Sequence, residues 1–191
     1  MSDAGETPKG ADRRLNDLVA VTVVILTVFM AVGNIKDNNI GQAMQKAKAD
    51  AVDSWSEYQA SRVKLHIDEN GLNQLRLLET TGQIDKPLAA KQAAEYQADI
   101  KKYEDRSKET RAKAERLEAE YERLNFRDDQ FDMSDAFLSI AVALAAVASL
   151  VDAFWMLYIA WGAGGFGLLM GIAGFLGFNL RPEWLATLLG T

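Results

Sequence analysis

The chain has 191 residues, 49% of them hydrophobic and 25% charged, with a formal net charge of −6. It contains no cysteine and one histidine, His66, which excludes disulfides, thiolate metal sites and any centre built on two imidazoles. The acidic balance, with signs interspersed, excludes the basic face of a nucleic-acid binder. These averages hide two regimes. Residues 36–135 hold 17 of the 21 Lys and Arg and 21 of the 27 Asp and Glu, whereas residues 18–35 carry no charge and residues 136–179 only Asp152.

Residues 1–14 read as a polar tail ending in Arg13 and Arg14. The run "LVAVTVVILTVFMAVGNI" that follows is too long for a signal-peptide core and has no clean cleavage site behind it. At about 1.5 Å per residue it covers roughly 27 Å, enough to cross the hydrocarbon layer once. A first transmembrane helix is therefore expected over 15–36. The "GNIKDNN" stretch predicts a break after it, with Asn39 capping the next helix.

Residues 37–130 predict an antiparallel coiled-coil hairpin. Ile40, Met44, Ala47, Ala51, Ser54 and Tyr58 open a stripe on the first arm, which Ser61, Leu65, Leu72 and Leu75 continue. Asp68 on that stripe and Gly71 beside it predict a local bend. "TTGQIDKP", 80–87, is the turn by its Gly and Pro. On the second arm Ala89, Ala93, Tyr96, Ile100, Tyr103 and Ser107 step four and three, and Thr110, Ala114, Leu117, Tyr121 and Leu124 carry the pattern on. The strongest seam positions are Ile100, Tyr103, Leu117, Tyr121 and Leu124. Ser107 and Thr110 interrupt the apolar seam, either to hold register or to mark a wetter stretch. Two arms of equal length on one turn return the chain to the membrane.

The second apolar region is twice the length of one span, so it must turn once. A charge at the bilayer centre costs at least ~2.5 kcal/mol, so a turn at Asp152, with spans at 131–151 and 154–178, is preferred to one at "GAGG", which would bury Asp152 in the membrane and shorten the last span. Residues 181–191 suit a brief interfacial helix with Pro182 at its start. Seven of the fourteen glycines fall in 161–178. Ala160, Gly164, Gly167, Gly171 and Gly174 form one small-residue seam, and Ala141, Ala145 and Ala148 form a matching stripe on the preceding span. In lipid such seams let helix backbones approach closely. The spacing leaves open whether the contact lies within one chain or between chains. The fold class is thus all-α, an integral membrane protein with three transmembrane helices and the hairpin between the first and second.

Trp55 and Tyr58 suit either a helix–helix interface or the binding of a partner or headgroup. His66 reads as a solvated or capping side chain. No nucleophile elbow, zinc-protease pair or phosphate loop is present. An enzyme is not expected, nor is any cofactor or metal.

At "VDSWSEYQASRVKLHI" the sequence resembles a bacterial membrane-protein family catalogued as domain of unknown function 4337. The residues that carry the likeness are Asp53, Ser54, Trp55, Tyr58, Gln59, Ala60 and Lys64, with the Ala-rich and Trp/Gly-rich runs of the last two spans. The resemblance covers about residues 13–177 and implies a bacterial inner-membrane protein without assigning an activity. The family's link between spans two and three bears Arg or Lys where this chain has Asp152. Arg13 and Arg14 favour a cytoplasmic N-terminus and a periplasmic hairpin, while Arg181 and the link without Lys or Arg argue the other way. The function expected is a non-catalytic scaffold whose partners are the lipid bilayer and further copies of itself or another membrane protein. The alternative is an oligomeric cation channel or transporter component with Asp152 at a pore mouth.

Overall fold

The structure, a computed structural model, describes residues 9–82 and 84–178. They form three helices, α1 (Lys9–Thr81), α2 (Lys86–Leu150) and α3 (Phe154–Leu176). Each is long and apolar enough, over part of its length, to cross a membrane by length and composition. The chain divides into two compact units. Unit 1 comprises residues 1–43 and 123–191, and unit 2 comprises residues 44–122.

The break expected at "GNIKDNN" does not occur, and Asn39 lies inside α1 rather than at a cap. Local propensity there favours a stop, but tertiary contacts decide otherwise. Gly33 faces the Phe131 ring, a Cβ at this position lying 3.9 Å from it, Asp37 hydrogen-bonds Asp128, and Ile40 is buried. All three sit on the α2-facing side of α1, so stopping the helix would strip them of their partners. The second span likewise begins inside α2, with no break near residue 131. The interfacial segment expected at 181–191 lies outside the described residues.

Both connections are short and use left-handed backbone. Gly82 (φ 68°) ends α1, where Thr80 and Thr81 hydroxyls donate to the Leu77 and Leu78 carbonyls at 2.7 and 2.8 Å. Helix α2 then starts one residue after Asp85, whose carbonyl accepts from Ala89 N–H, and Pro87 falls in the first turn, where its missing donor costs nothing. Asp152 (φ 50°) turns the chain from α2 to α3 while Ala153 N–H donates to the Ala148 carbonyl. Aspartate is among the few residues that tolerate this conformation. Gly177 (φ 71°) closes α3, and the Phe178 N–H donates to the Ala173 carbonyl at 3.0 Å.

In unit 1 the three helices bury small residues against medium ones. Leu15, Val19, Ala145, Ala148, Leu157 and Ala160 form one cluster, and Leu26, Leu138 and Ala141 a second. A third pairs Met133 with Met170. The exterior is the reverse of a water-soluble protein's, with Val21, Val24, Ile25 and Val28 on α1 each more than half exposed and Trp155, Tyr158 and Leu169 on α3 likewise.

Unit 2 is an antiparallel pair of helical arms from α1 and α2. Its interior is narrow, built on Ala47, Ala51, Leu65, Leu72, Ala89 and Ala114, with Ser54, Ser61, Ser107 and Thr110 among them. Three of these buried hydroxyls are satisfied by their own helix: Ser54 donates to Asp50 O at 2.7 Å, Ser107 to Glu104 O at 2.8 Å and Thr110 to Arg106 O at 2.9 Å. They need no water. Gly71 is helical, and it makes room for Tyr96, whose Cζ lies 2.7 Å from where a Cβ would stand.

Candidate functional site

The glycine seam of α3 is the most tightly constrained feature of unit 1. Ala160, Gly164, Gly167, Gly171 and Gly174 are all buried, as are Ala141, Ala145 and Ala148 on α2. A Cβ on Gly167 would lie 2.9 Å from Leu138 Cγ and 3.0 Å from the Ser134 carbonyl oxygen. One on Gly171 would meet Phe29 Cε1 at 2.5 Å and Ser134 Oγ at 2.7 Å, and one on Gly174 the Phe131 ring at 3.0 Å. The seam therefore packs within the chain, against α1 as well as α2. Leu26 and Phe29 supply the α1 side; nothing in their spacing signals it, because every face of that run is apolar.

Polar contacts fasten the same bundle. Ser134 Oγ donates to the Gly167 carbonyl at 2.8 Å, a bond possible because glycine leaves that carbonyl uncovered. Arg127 donates twice to the Gly174 carbonyl, at 3.2 and 2.9 Å, and Gln130 Nε2 donates to the Phe178 carbonyl at 2.6 Å. A guanidinium at the last turn of α3 meets both the unsatisfied carbonyls and the negative end of the helix dipole. Elsewhere in the bundle Trp161 Nε1 donates to Thr22 Oγ1 at 2.9 Å, and Ser149 bonds Asn16.

Next to Arg127 the helices bring together carboxyl groups that no sequence spacing announces: Asp37 from α1 and Asp128, Asp129, Asp132 and Asp135 from α2. Asp37 and Asp128 are neighbours whose carboxyl groups interact, and two carboxyls can hydrogen-bond only with a proton between them. Burial, then the charge of Asp37, then that bond push the Asp128 carboxyl up to about 6. Asp37 is raised by burial and by Asp132 and Asp135, but accepting the bond from Asp128 opposes the rise. Among the described residues no group of side chains has the arrangement of a metal site.

In unit 2 the family-like motif splits between two faces. Trp55 and Tyr58 are partly buried and meet edge to face at 5.6 Å, and Trp55 Nε1 donates to Glu118 Oε1 at 2.8 Å across the arms. The Lys64 ammonium sits 5.5 Å from the Tyr103 ring centre. Asp53 and Gln59 face outward. Of the seam positions, Leu124, which belongs to unit 1, is buried, and Ile100, Tyr103, Leu117 and Tyr121 are partly buried. His66 is exposed between Arg62 and Glu69. A groove of about 540 Å³ between the arms is lined by Glu57, Lys64, Lys102, Asp105, Arg106 and Glu109, and their signs cancel. Asp152 is exposed at its turn and forms no ion pair among the described residues.

Compared with known families, the chain matches the one described as Domain of unknown function (DUF4337) over residues 15–177. It belongs to that family. The match runs from Leu15, buried near the start of α1, to the Gly177 cap of α3 and so takes in both units. No curated protein and no solved structure matches the chain.

Proposed function

We propose that this DUF4337 protein is a non-catalytic, membrane-anchored scaffold. Unit 1 lies in the inner membrane of a bacterium as a three-span anchor, and unit 2 is a coiled-coil hairpin in the aqueous phase, used for assembly with further copies or with a larger membrane complex. The observation that carries the reading is the exterior of unit 1. A belt of exposed Val, Ile, Leu, Trp and Tyr surrounds an interior of Gly and Ala, an inversion that lipid tolerates and water penalises. Arg13 and Arg14 at the head of the first span orient the N-terminus to the cytoplasm and the hairpin to the periplasm. The channel alternative rests on Asp152 alone, whose place in a left-handed turn already accounts for an aspartate.

The test uses the full chain, expressed in a bacterium. It should stay in the membrane fraction through alkaline extraction and, purified in mild detergent, give particles heavier than one chain. Ala112, exposed on α2, becomes the only cysteine in Ala112→Cys. An impermeant maleimide should label it in intact cells. Release by alkali, or a single-chain particle mass, overturns the scaffold; labelling only after permeabilisation reverses the orientation.

A further inference from the structure

We propose that a second copy of this chain docks in parallel along the outward ridge of α1 in unit 2; this rests on the assembly reading above and names its surface. The ridge is a line of solvent-facing positions on α1 that runs across the side away from the buried seam. Val52, Val63 and Ile67, each more than half exposed, form its centre, with Ser56 and Ala60 between them and Ala49 just before. Gln45 precedes this stretch, and Asn70, Gln74 and Leu78 follow it. All ten positions are exposed and none is charged.

The other arm supplies the control. The equivalent outward ridge of α2 carries Lys91, Lys102, Asp105, Glu109, Arg116 and Glu120, with Ala94, Ala98, Ala112 and Ala119 uncharged beside them. Both ridges belong to one hairpin of ordinary surface charge, so solvation alone does not explain why one excludes charge for nine turns. An outward face that alternates Val, Ile and Ala with Asn and Gln at three- and four-residue spacing is a helix-packing surface, with amides that set register.

Three features select a second copy in parallel. The ridge spans about 50 Å and is about 10 Å wide, so two copies would cover about 1,000 Å² in total, the lower bound for a specific interface. An in-register pair stacks each amide on its own counterpart, leaving no polar group against an apolar one. Flanking the ridge, Lys48 lies on one side and Asp53 on the other, five residues apart. That is the offset at which flanking residues of parallel helices meet, so two Lys48–Asp53 pairs would form by symmetry. Both side chains are exposed, Lys48 beside the Tyr121 ring.

The absence of native cysteine makes the test direct. Gln45→Cys and Asn70→Cys, each alone in the full chain in membranes, should give self-dimers with a short bismaleimide, while Lys102→Cys on the charged ridge should not. Val63→Glu with Ile67→Glu, both exposed and therefore harmless to the single hairpin, should weaken association by about tenfold or more through like charges buried opposite one another, with helical content unchanged. Cross-linking at Lys102 as readily as at the α1 ridge overturns the proposal, as does dimer formation only when Gln45→Cys is mixed with Asn70→Cys. A particle heavier than one chain whose mass ignores the glutamates also overturns it but leaves the scaffold standing; a particle of one chain ends both.

Discussion

Inside, the two units are built alike: Ala141, Ala145, Ala148 and four glycines fill unit 1, and Ala47, Ala51, Ala114 with three serines fill unit 2. Outside they are opposites. Unit 1 exposes Val24, Val28, Trp155 and Leu169, where α2 in unit 2 exposes Lys102, Asp105, Arg116 and Glu120. Small interiors let helices approach closely under either kind of exterior, so the difference lies in the surfaces and not in how the helices pack. What the interiors do not share is tolerance. At Gly71 in unit 2 the close neighbour is the Tyr96 side chain, whereas at Gly167 the seam of unit 1 also meets backbone, the Ser134 carbonyl.

The largest test of that contrast is Gly167→Leu. Its side chain must displace Leu138 and press on the Ser134 carbonyl, and overpacking of this kind costs about 3 kcal/mol. Thermal unfolding in detergent should show a marked loss for Gly167→Leu. It should show none for Gly165→Leu, whose added atoms meet open space. Equal melting of the two variants would mean that the seam does not carry the bundle.

The turn at Asp152 comes next. Asp152→Gly keeps the left-handed backbone accessible and should leave unit 1 unchanged, while Asp152→Val, β-branched at φ 50°, should cost about 1–2 kcal/mol. Asp152→Asn keeps the turn and removes the charge. If reconstituted protein passes a cation current that this change reduces, the channel reading replaces the scaffold.

A smaller effect is expected from the carboxyl pair, which is partly open to solvent and correspondingly screened. The Asp128 carboxyl is raised to about 6 in the fold from an ordinary value of 3.8, so between those values the folded state binds more protons than the unfolded one. Its contribution to stability is complete below pH 3.8 and is lost as pH rises toward and through 6. Melting of unit 1 should therefore ease from pH 4 to pH 7 beyond the general trend of the chain. Asp128→Asn, which keeps a hydrogen-bond donor to Asp37, should flatten that slope. A slope unchanged by the substitution would assign it to other groups.

Much of the architecture was legible because composition changes so sharply: charge vanishes over 18–35 and nearly so over 136–179, and the helices long and apolar enough to span lie there. The small residues of α3 were legible by spacing, since a bare stripe needs a close neighbour. Three things were not. The continuity of α1 through "GNIKDNN" depends on Phe131 and Asp128, about ninety residues away, and local propensity argues against it. The contact of Leu26 and Phe29 with the seam leaves no periodic mark on a run that is apolar all round. The carboxyl cluster joins Asp37 to Asp128 and its neighbours only after folding, and in the sequence they read as solvated charge.

The smallest predicted effect belongs to unit 2, where a polar exterior should contribute little per contact. Trp55 Nε1 donates to the Glu118 carboxylate across the arms at 2.8 Å, in a setting open to water. Trp55→Phe removes the donor and keeps most of the ring that packs on Tyr58, so the loss should be at most about 1 kcal/mol. Amide hydrogen exchange near residues 55 and 118 in the full chain should accelerate modestly, with exchange in the bundle of unit 1 unmoved. Combining Trp55→Phe with Glu118→Ala should add nothing further, since either change alone already breaks the bond. Full additivity would mean that Trp55 acts through its ring and not its indole N–H, and the polar link between the arms would have no part in holding them.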